Sequence, residues 1–269
     1  MKKLLKSKIK RKEVQVVIKI FSLYMPQFNE ERKIHLYLPD DYEQSEKRYP
    51  VLYMFDGHNL FDDQCATYGR SWRLGDQIKA ANKDLIVVGQ ECSHQGNNRL
   101  DEYGPYPFSS EYQEESFEGH GYQTMRFFID TLKPYIDSHY RSKPARKYTW
   151  IAGSSCGGLM AYYAGIRFSS TFSKAVCVSP YFHPTMPYLY EDSTKLSIRK
   201  KTAFYLSWGS EESGSHGFVN ETIDCLSLSN VLIKRGLSIH FNVRKNGRHC
   251  EEDWEKEIPE ILDFLWTDQ

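Results

Sequence analysis

The sequence predicts an α/β fold, a mostly parallel central sheet with helices on both faces. Three observations carry this expectation. Short apolar runs without alternation recur at 49–55, 85–88, 148–152, 175–178 and 203–208, each rich in β-branched or aromatic residues and bounded by Gly, Pro, Asp or Ser, as strands buried on both faces are. Helical periodicity lies between several of them, and strands alternating with helices favour parallel neighbours joined by crossovers. Finally, no internal repeat, low-complexity tract or Pro/Ser-rich linker interrupts the 269 residues, so residues 1–269 read as a single domain.

Taken in order, the basic start (Lys2, Lys3, Lys6, Lys8, Lys10, Arg11, Lys12) reads as a frayed, solvated terminus over 1–13. Period-two alternation over 14–21 and at Ile34, Leu36 and Leu38 predicts strands with one wet face at a sheet edge. After the two buried strands at 49–55 and 85–88 comes a long stretch, 92–121, and a second follows at 181–200. Loops of this length in compact folds are usually functional. Both follow buried strands, and open α/β sheets bind ligands beyond their strands' carboxyl ends. Their aromatics (Tyr103, Tyr106, Phe108, Tyr112, Phe117; Tyr181, Phe182, Tyr188, Tyr190) are therefore expected to wall a pocket, with satellite packing under the loops as the alternative. Tyr122, Met125, Ile129, Leu132 and Ile136 share a helical face, as do Val219, Ile223, Leu226 and Val231, with Gly236 as a stop signal. A strand at 238–244 and a helix at 251–266 close the chain.

Composition removes several classes of function. Lys+Arg and Asp+Glu number 35 each, so the basic excess that nucleic-acid binding draws on is missing. With 40% hydrophobic and 26% charged residues, the chain can bury a core without disulfide or metal staples. The six cysteines, Cys65, Cys92, Cys156, Cys177, Cys225 and Cys250, form no C-x-x-C pair, and no His-x-x-x-His spacing occurs, so neither a metal nor another cofactor is expected. Free thiols, no apolar run of about 18 residues and no secretory leader pattern predict a cytoplasmic protein.

The sharpest chemical signal is Gly153-Ser154-Ser155-Cys156-Gly157-Gly158, placed directly after the apolar run at 148–152 and before the helical pattern at 159–166. That context is the one a nucleophile elbow needs: a tight strand-to-helix turn lifts the serine hydroxyl out, and flanking glycines let the backbone fold sharply. The N–H of Cys156 then faces a developing oxyanion from a helix N-terminus. A serine needs a base, and in this arrangement the order is Ser, acid, His. Of the nine histidines, His249 follows the last strand and precedes the last helix, where a loop can carry an imidazole over the elbow. His240 lies inside the alternating strand and is expected to face solvent; His35, His139 and His216 are expected at the surface. The acid should follow the run at 203–208, where Glu211 and Glu212 are both candidates; Asp224 is expected to be solvated on its helix. The second oxyanion donor should be the N–H of His58 in Asp56-Gly57-His58, because Gly57 permits close backbone approach.

Together with Pro26-Gln27, Arg32-Lys33-Ile34, Tyr49-Pro50-Val51-Leu52-Tyr53, Arg99 with Glu102-Tyr103 and Pro105, Ser179-Pro180 and Trp254 after His249, the elbow makes the chain resemble the "Putative esterase" family of α/β-hydrolases. That group contains esterase D, feruloyl esterases and siderophore esterases. The resemblance runs from about residue 24 across nearly the whole chain. It implies the α/β-hydrolase fold without a separate lid domain. It implies hydrolysis of a small-molecule carboxylic ester by Ser155 with His249, an acid at Glu212, and oxyanion donors at His58 and Cys156. Family members often have Asp at the acid position and Met where Cys156 stands. Arg99, Glu102, Tyr103 and Tyr181 are the expected substrate contacts and would suit a phenolic or catecholate ester. An acyltransferase or thioesterase on the same triad is the alternative activity, and a non-catalytic binding protein has no evident use for an elbow.

Overall fold

A computed structural model describes residues 17–110 and 113–267. The basic terminus 1–13, residues 14–16 of the first expected strand, Tyr112 and the side chain of His216 lie outside the described residues. The strands are β1 (Val17–Met25), β2 (Glu30–Leu38), β3 (Val51–Phe55), β4 (Ile86–Gln90), β5 (Phe108–Ser110), β6 (Glu115–Phe117), β7 (Thr149–Ser154), β8 (Lys174–Val178), β9 (Ala203–Gly209) and β10 (Ser238–Arg244). Eight of them form one sheet in the order β1-β2-β4-β3-β7-β8-β9-β10. The β1/β2 and β2/β4 pairs are antiparallel and the remaining pairs parallel.

The helices are α1 (Leu74–Ala80), α2 (Asn98–Glu102), α3 (Gly121–Phe127), α4 (Lys133–His139), α5 (Cys156–Arg167), α6 (Met186–Lys195), α7 (Gly214–Lys234), α8 (Glu251–Glu255) and α9 (Ile258–Trp266). They divide between the two faces of the sheet. Val51, Tyr53 and Phe55 of β3 and Phe204, Leu206 and Trp208 of β9 pack with residues of α3 to α7. Leu52 and Met54 of β3 and Tyr205 of β9 pack with α1, α8 and α9 on the other side. Period-two side chains thus feed two apolar cores, so the strands read as unbroken apolar runs. Each fully buried Leu, Ile, Val or Phe contributes about 1.5–3 kcal/mol relative to an exposed one.

Four expectations need correction. The stretch 92–121 contains α2 and the β5/β6 hairpin, and 181–200 contains α6; these elements are too short, and too broken by Gly and Pro, for periodicity to register. On α7 the stripe Val219, Ile223 and Leu226 faces outward, at 52%, 56% and 49% exposed, while Cys225, Leu228 and Leu232 are buried. This helix carries two apolar stripes, and spacing alone does not say which one meets the sheet. The helix expected at 251–266 is two helices, with Pro259 in the first turn of α9; proline lacks the N–H that a continuous helix would need. His35 is buried on β2, its Nε2 2.6 Å from Glu91 Oε1. By contrast His139 and His240 are exposed, and His240 stacks on Tyr205 at 5.2 Å.

Candidate active site

The parallel strands β7, β8, β9 and β10 lie side by side, so the segments leaving their carboxyl ends gather at one edge of the sheet. Ser155 occupies the turn between β7 and α5 with φ 57° and ψ −123°, a region that costs a non-glycine residue on the order of 1–3 kcal/mol. Three backbone bonds hold it there: its N–H donates to Val178 O (3.0 Å), and its carbonyl accepts from Leu159 (3.0 Å) and Tyr181 (3.1 Å). Gly153 is needed because a Cβ there would meet Gly157 O at 2.4 Å. The N–H of Cys156 lies in the first turn of α5, where helix donors have no intrahelical acceptor. Its own side chain is buried, and burial pushes the thiol up.

Beyond β9 the chain turns through Gly209-Ser210-Glu211-Glu212. Glu211 is exposed, whereas the Glu212 side chain is only 2% exposed. Glu212 Oε1 accepts from the Gly209 N–H (2.5 Å), the Ser179 hydroxyl (2.6 Å) and Arg244 Nη2 (2.6 Å). Its other oxygen, Oε2, accepts from His249 Nδ1 at 2.9 Å. Burial alone would raise the Glu212 carboxyl, but His249, Ser179 and Arg244 outweigh it and hold the group below its ordinary value. Ser179 joins the cluster, its oxygen also accepting from Trp254 Nε1 (2.8 Å) and Arg244 Nη2 (2.6 Å). The indole of Trp254 in turn meets the His249 ring edge-on at 5.1 Å. Behind them Arg244 Nε lies 3.4 Å from Glu257. Burial raises the Glu257 carboxyl to about 7 against the pull of Arg244.

After β3 the chain turns at Asp56, in the left-handed region at φ 57°. Gly57 then passes against the β4 backbone so closely that a Cβ would sit 2.4 Å from Gly89 O. This contact sets His58, the second residue of the turn. Arg99 clamps the Asp56 carboxylate with both Nε (2.8 Å) and Nη2 (2.7 Å). Asp56 is buried, which would raise its carboxyl, but Arg99 holds it below its ordinary value.

These partners revise the expected substrate contacts. Tyr103 has no exposed surface; its hydroxyl donates to Gln90 Oε1 (2.9 Å) and accepts from the Asp56 N–H (3.3 Å). Glu102 is 4% exposed, accepting from Arg32 Nη2 at 2.6 Å and from the Ser93 N–H at 3.0 Å. Arg99 spends its fork on Asp56. Arg99 and Tyr103 hold Asp56, at the start of the turn that carries His58, whereas Glu102 is committed to Arg32 and Ser93; the burial of Glu102 and Tyr103 removes two of the groups expected to meet a phenolic ester. Tyr181, whose own N–H donates to the Ser155 carbonyl, meets Phe108 edge-on at 6.5 Å. Among the other loop aromatics, Phe108 stacks on Phe117, Phe182 is buried, and Tyr188 and Tyr190 are exposed. Asp224 is half-buried rather than fully solvated, with 14% of its side chain exposed and His183 Nδ1 paired with it at 3.0 Å.

Sequence reasoning missed Arg244 and the Asp56–Arg99 clamp, which no motif announces. It also missed a grouping of His58, Cys92 and His94, whose ligand-type atoms all lie within 4.8 Å of one another. Burial holds the His58 imidazole below its ordinary value and the Cys92 thiol above its own. The Cys-x-His spacing of 92 and 94 was the available signal. A hollow of about 520 Å³ lined by Lys47, Tyr49, Lys83 and Lys143 lies before β3, at the opposite edge of the sheet from Ser155. No helix among the described residues is long and apolar enough to cross a membrane.

The order of the sheet, the helices on both faces and the serine turn after β7 define an α/β-hydrolase fold. A solved IroE-like serine hydrolase from Shewanella oneidensis superposes with a TM-score of 0.72 at 21% identity, over 92% of this chain and 80% of that one. The family model described as "Putative esterase" matches residues 25–265, and the chain belongs to that family, whose members hydrolyse carboxylic esters. An uncharacterized protein of Bacillus subtilis (strain 168), YbbA, is 25% identical over 80% of this chain and 79% of its own length. An esterase of Mycobacterium tuberculosis, Rv1288, is 29% identical over 53% of this chain, a match spanning 27% of that longer protein.

Proposed function

We propose that the chain is a single-domain serine carboxylesterase, acting on small-molecule esters through an acyl-enzyme on Ser155. The observation that carries this reading is the Glu212–His249 hydrogen bond of 2.9 Å, made by the segments that leave β9 and β10, on the same side of the sheet as the turn after β7 that holds Ser155. In this mechanism His249 Nε2 takes the Ser155 proton as Oγ attacks the ester carbonyl. Glu212 fixes the proton on Nδ1 and stabilises the imidazolium that forms. The N–H groups of Cys156 and His58 receive the oxyanion. Collapse breaks the ester C–O bond, His249 returns the proton to the leaving alcohol, and water then repeats the sequence on the acyl-enzyme, releasing the acid.

Ser155 is already held in a strained turn, so the attack geometry requires no refolding of the elbow. The test is labelling with a fluorophosphonate followed by mass spectrometry: one adduct on Ser155 is expected, and none on Ser155→Ala. An adduct at another residue, or full hydrolysis by the variant, would overturn the assignment.

A further inference from the structure

His58, Cys92 and His94 come from two segments, the turn after β3 and the segment after β4, and neither segment's backbone conformation requires these residue types. Their ligand-type atoms lie within 4.8 Å of one another. His58 is 5% exposed and Cys92 4%, while His94 closes the group from the solvent side with 57% of its side chain exposed. The His58 and His94 rings meet edge to face at 4.7 Å.

Polar groups surround all three residues, the Asp56 carboxylate lying against the Cys92 thiol. His58 Nε2 lies 3.0 Å from Thr67 Oγ1, while its Nδ1 is buried without a hydrogen-bond partner. A buried polar nitrogen left unsatisfied destabilises the fold, so a ligand there would relieve a defect the fold otherwise carries. His94 Nε2 lies 3.3 Å from Glu91 Oε2, and Glu91 is itself fixed by His35 at 2.6 Å. Histidine ligands commonly have one ring nitrogen oriented by a carboxylate or hydroxyl while the other binds the metal.

We propose that His58, Cys92 and His94 bind one divalent ion of the zinc class, and that its binding slows ester hydrolysis by tying the oxyanion turn to the 92–94 segment. Two imidazoles and a thiolate are the donor set of a borderline-soft ion, and leave a fourth position to water. Zinc–ligand distances of about 2.0–2.3 Å place tetrahedral donors about 3.4 Å apart; swinging the exposed His94 side chain inward supplies the closure. On binding, the Cys92 S–H bond breaks, the sulfur–metal bond forms, and the proton leaves to buffer. No electron is transferred. The binding half is independent of the esterase reading, whereas the inhibition half rests on it.

The test is titration of the purified full-length protein, stripped with chelator, with Co²⁺ as an optical probe. A thiolate-to-cobalt charge-transfer band should saturate at one equivalent, disappear on adding Zn²⁺, and be absent from Cys92→Ser. Since Cys92 is buried and its variant could fold poorly, His94→Ala at the exposed position serves as the second variant, with Co²⁺ affinity at least tenfold weaker. In the hydrolysis assay, Zn²⁺ should lower the wild-type rate at least tenfold and that of His94→Ala far less, each compared with its own metal-free rate. A band that persists in Cys92→Ser, or unchanged affinity in His94→Ala, overturns the site. A protein that binds Co²⁺ as expected yet hydrolyses no ester overturns the esterase reading and leaves the metal site standing. Hydrolysis that ignores bound Zn²⁺ overturns only the inhibition.

Discussion

Replacing Glu212 with Gln should disable the site without unfolding it, for a reason that lies in the hydrogen bonds around that side chain. Oε1 accepts three donors, from Gly209, Ser179 and Arg244. An amide NH₂ cannot accept any of them, so the amide oxygen must take the Oε1 position. The NH₂ is then forced into the Oε2 position, where His249 Nδ1 now stands 2.9 Å away. Nδ1 must become an acceptor, which moves the imidazole proton to Nε2 and removes the lone pair that should deprotonate Ser155. In a serine protease the corresponding wrong tautomer lowers kcat about 10⁴-fold, equal to about 5 kcal/mol of activation free energy. The assay is kcat/KM on a chromogenic short-chain ester, paired with thermal melting. Since the three Oε1 bonds survive, the Glu212→Gln melting point should stay within a few degrees of wild type. Glu212→Ala leaves those donors unsatisfied, at about 1–3 kcal/mol for each one that stays buried, and should melt clearly earlier. Glu212→Gln retaining more than a tenth of wild-type activity would refute the tautomer argument.

Gly57→Ala should cut activity at least tenfold, because the added methyl displaces the His58 turn from Gly89 O, 2.4 Å away; wild-type kinetics with an unchanged fold by circular dichroism would contradict this. Tyr103→Ala should lower stability by about 3–5 kcal/mol in urea denaturation and leave the ranking of substrates intact, as suits a core residue. Glu257 has its carboxyl raised to about 7 from an ordinary 4.5, so between those values the folded state holds a proton that the unfolded state has released. Its contribution is therefore present below about pH 4.5 and lost as pH rises through about 7. Glu257→Gln should shrink the wild-type difference in melting temperature between pH 5 and pH 8; an unchanged difference would show that Glu257 is not the group responsible.

How far the sequence could be read depended on how far apart the interacting residues lie along it. The parallel strands were legible because burial on both faces turns each into a bounded apolar run, and the serine turn because its glycines are adjacent to it. His249 could be proposed only by its order after a particular strand, and the same order left Glu211 and Glu212 both open until the family resemblance favoured Glu212. What separates Glu212 from Glu211 is a set of partners at positions 179, 209, 244 and 249, which no local pattern encodes. Tyr103 and Glu102 were misassigned because a polar tip on a loop looks the same in sequence whether it meets a ligand, Gln90 or Arg32. The stripe on α7 was misassigned because both of its faces are apolar.

The segments 92–121 and 181–200 contribute neither Ser155, Glu212 nor His249, yet they are fastened to each other. Tyr106 donates to Asp192 at 2.8 Å and stacks on Tyr188 at 5.2 Å with 16° between the rings. A laboratory exchanging parts between relatives therefore has a natural cassette here. Transplanted together, the two segments carry this joint and leave Ser155, Glu212 and His249 with the recipient scaffold, which must then offer Asp56, Arg32 and Gln90 equivalents to Arg99, Glu102 and Tyr103. Transplanted singly, either one arrives with half of a fitting whose mate stayed behind.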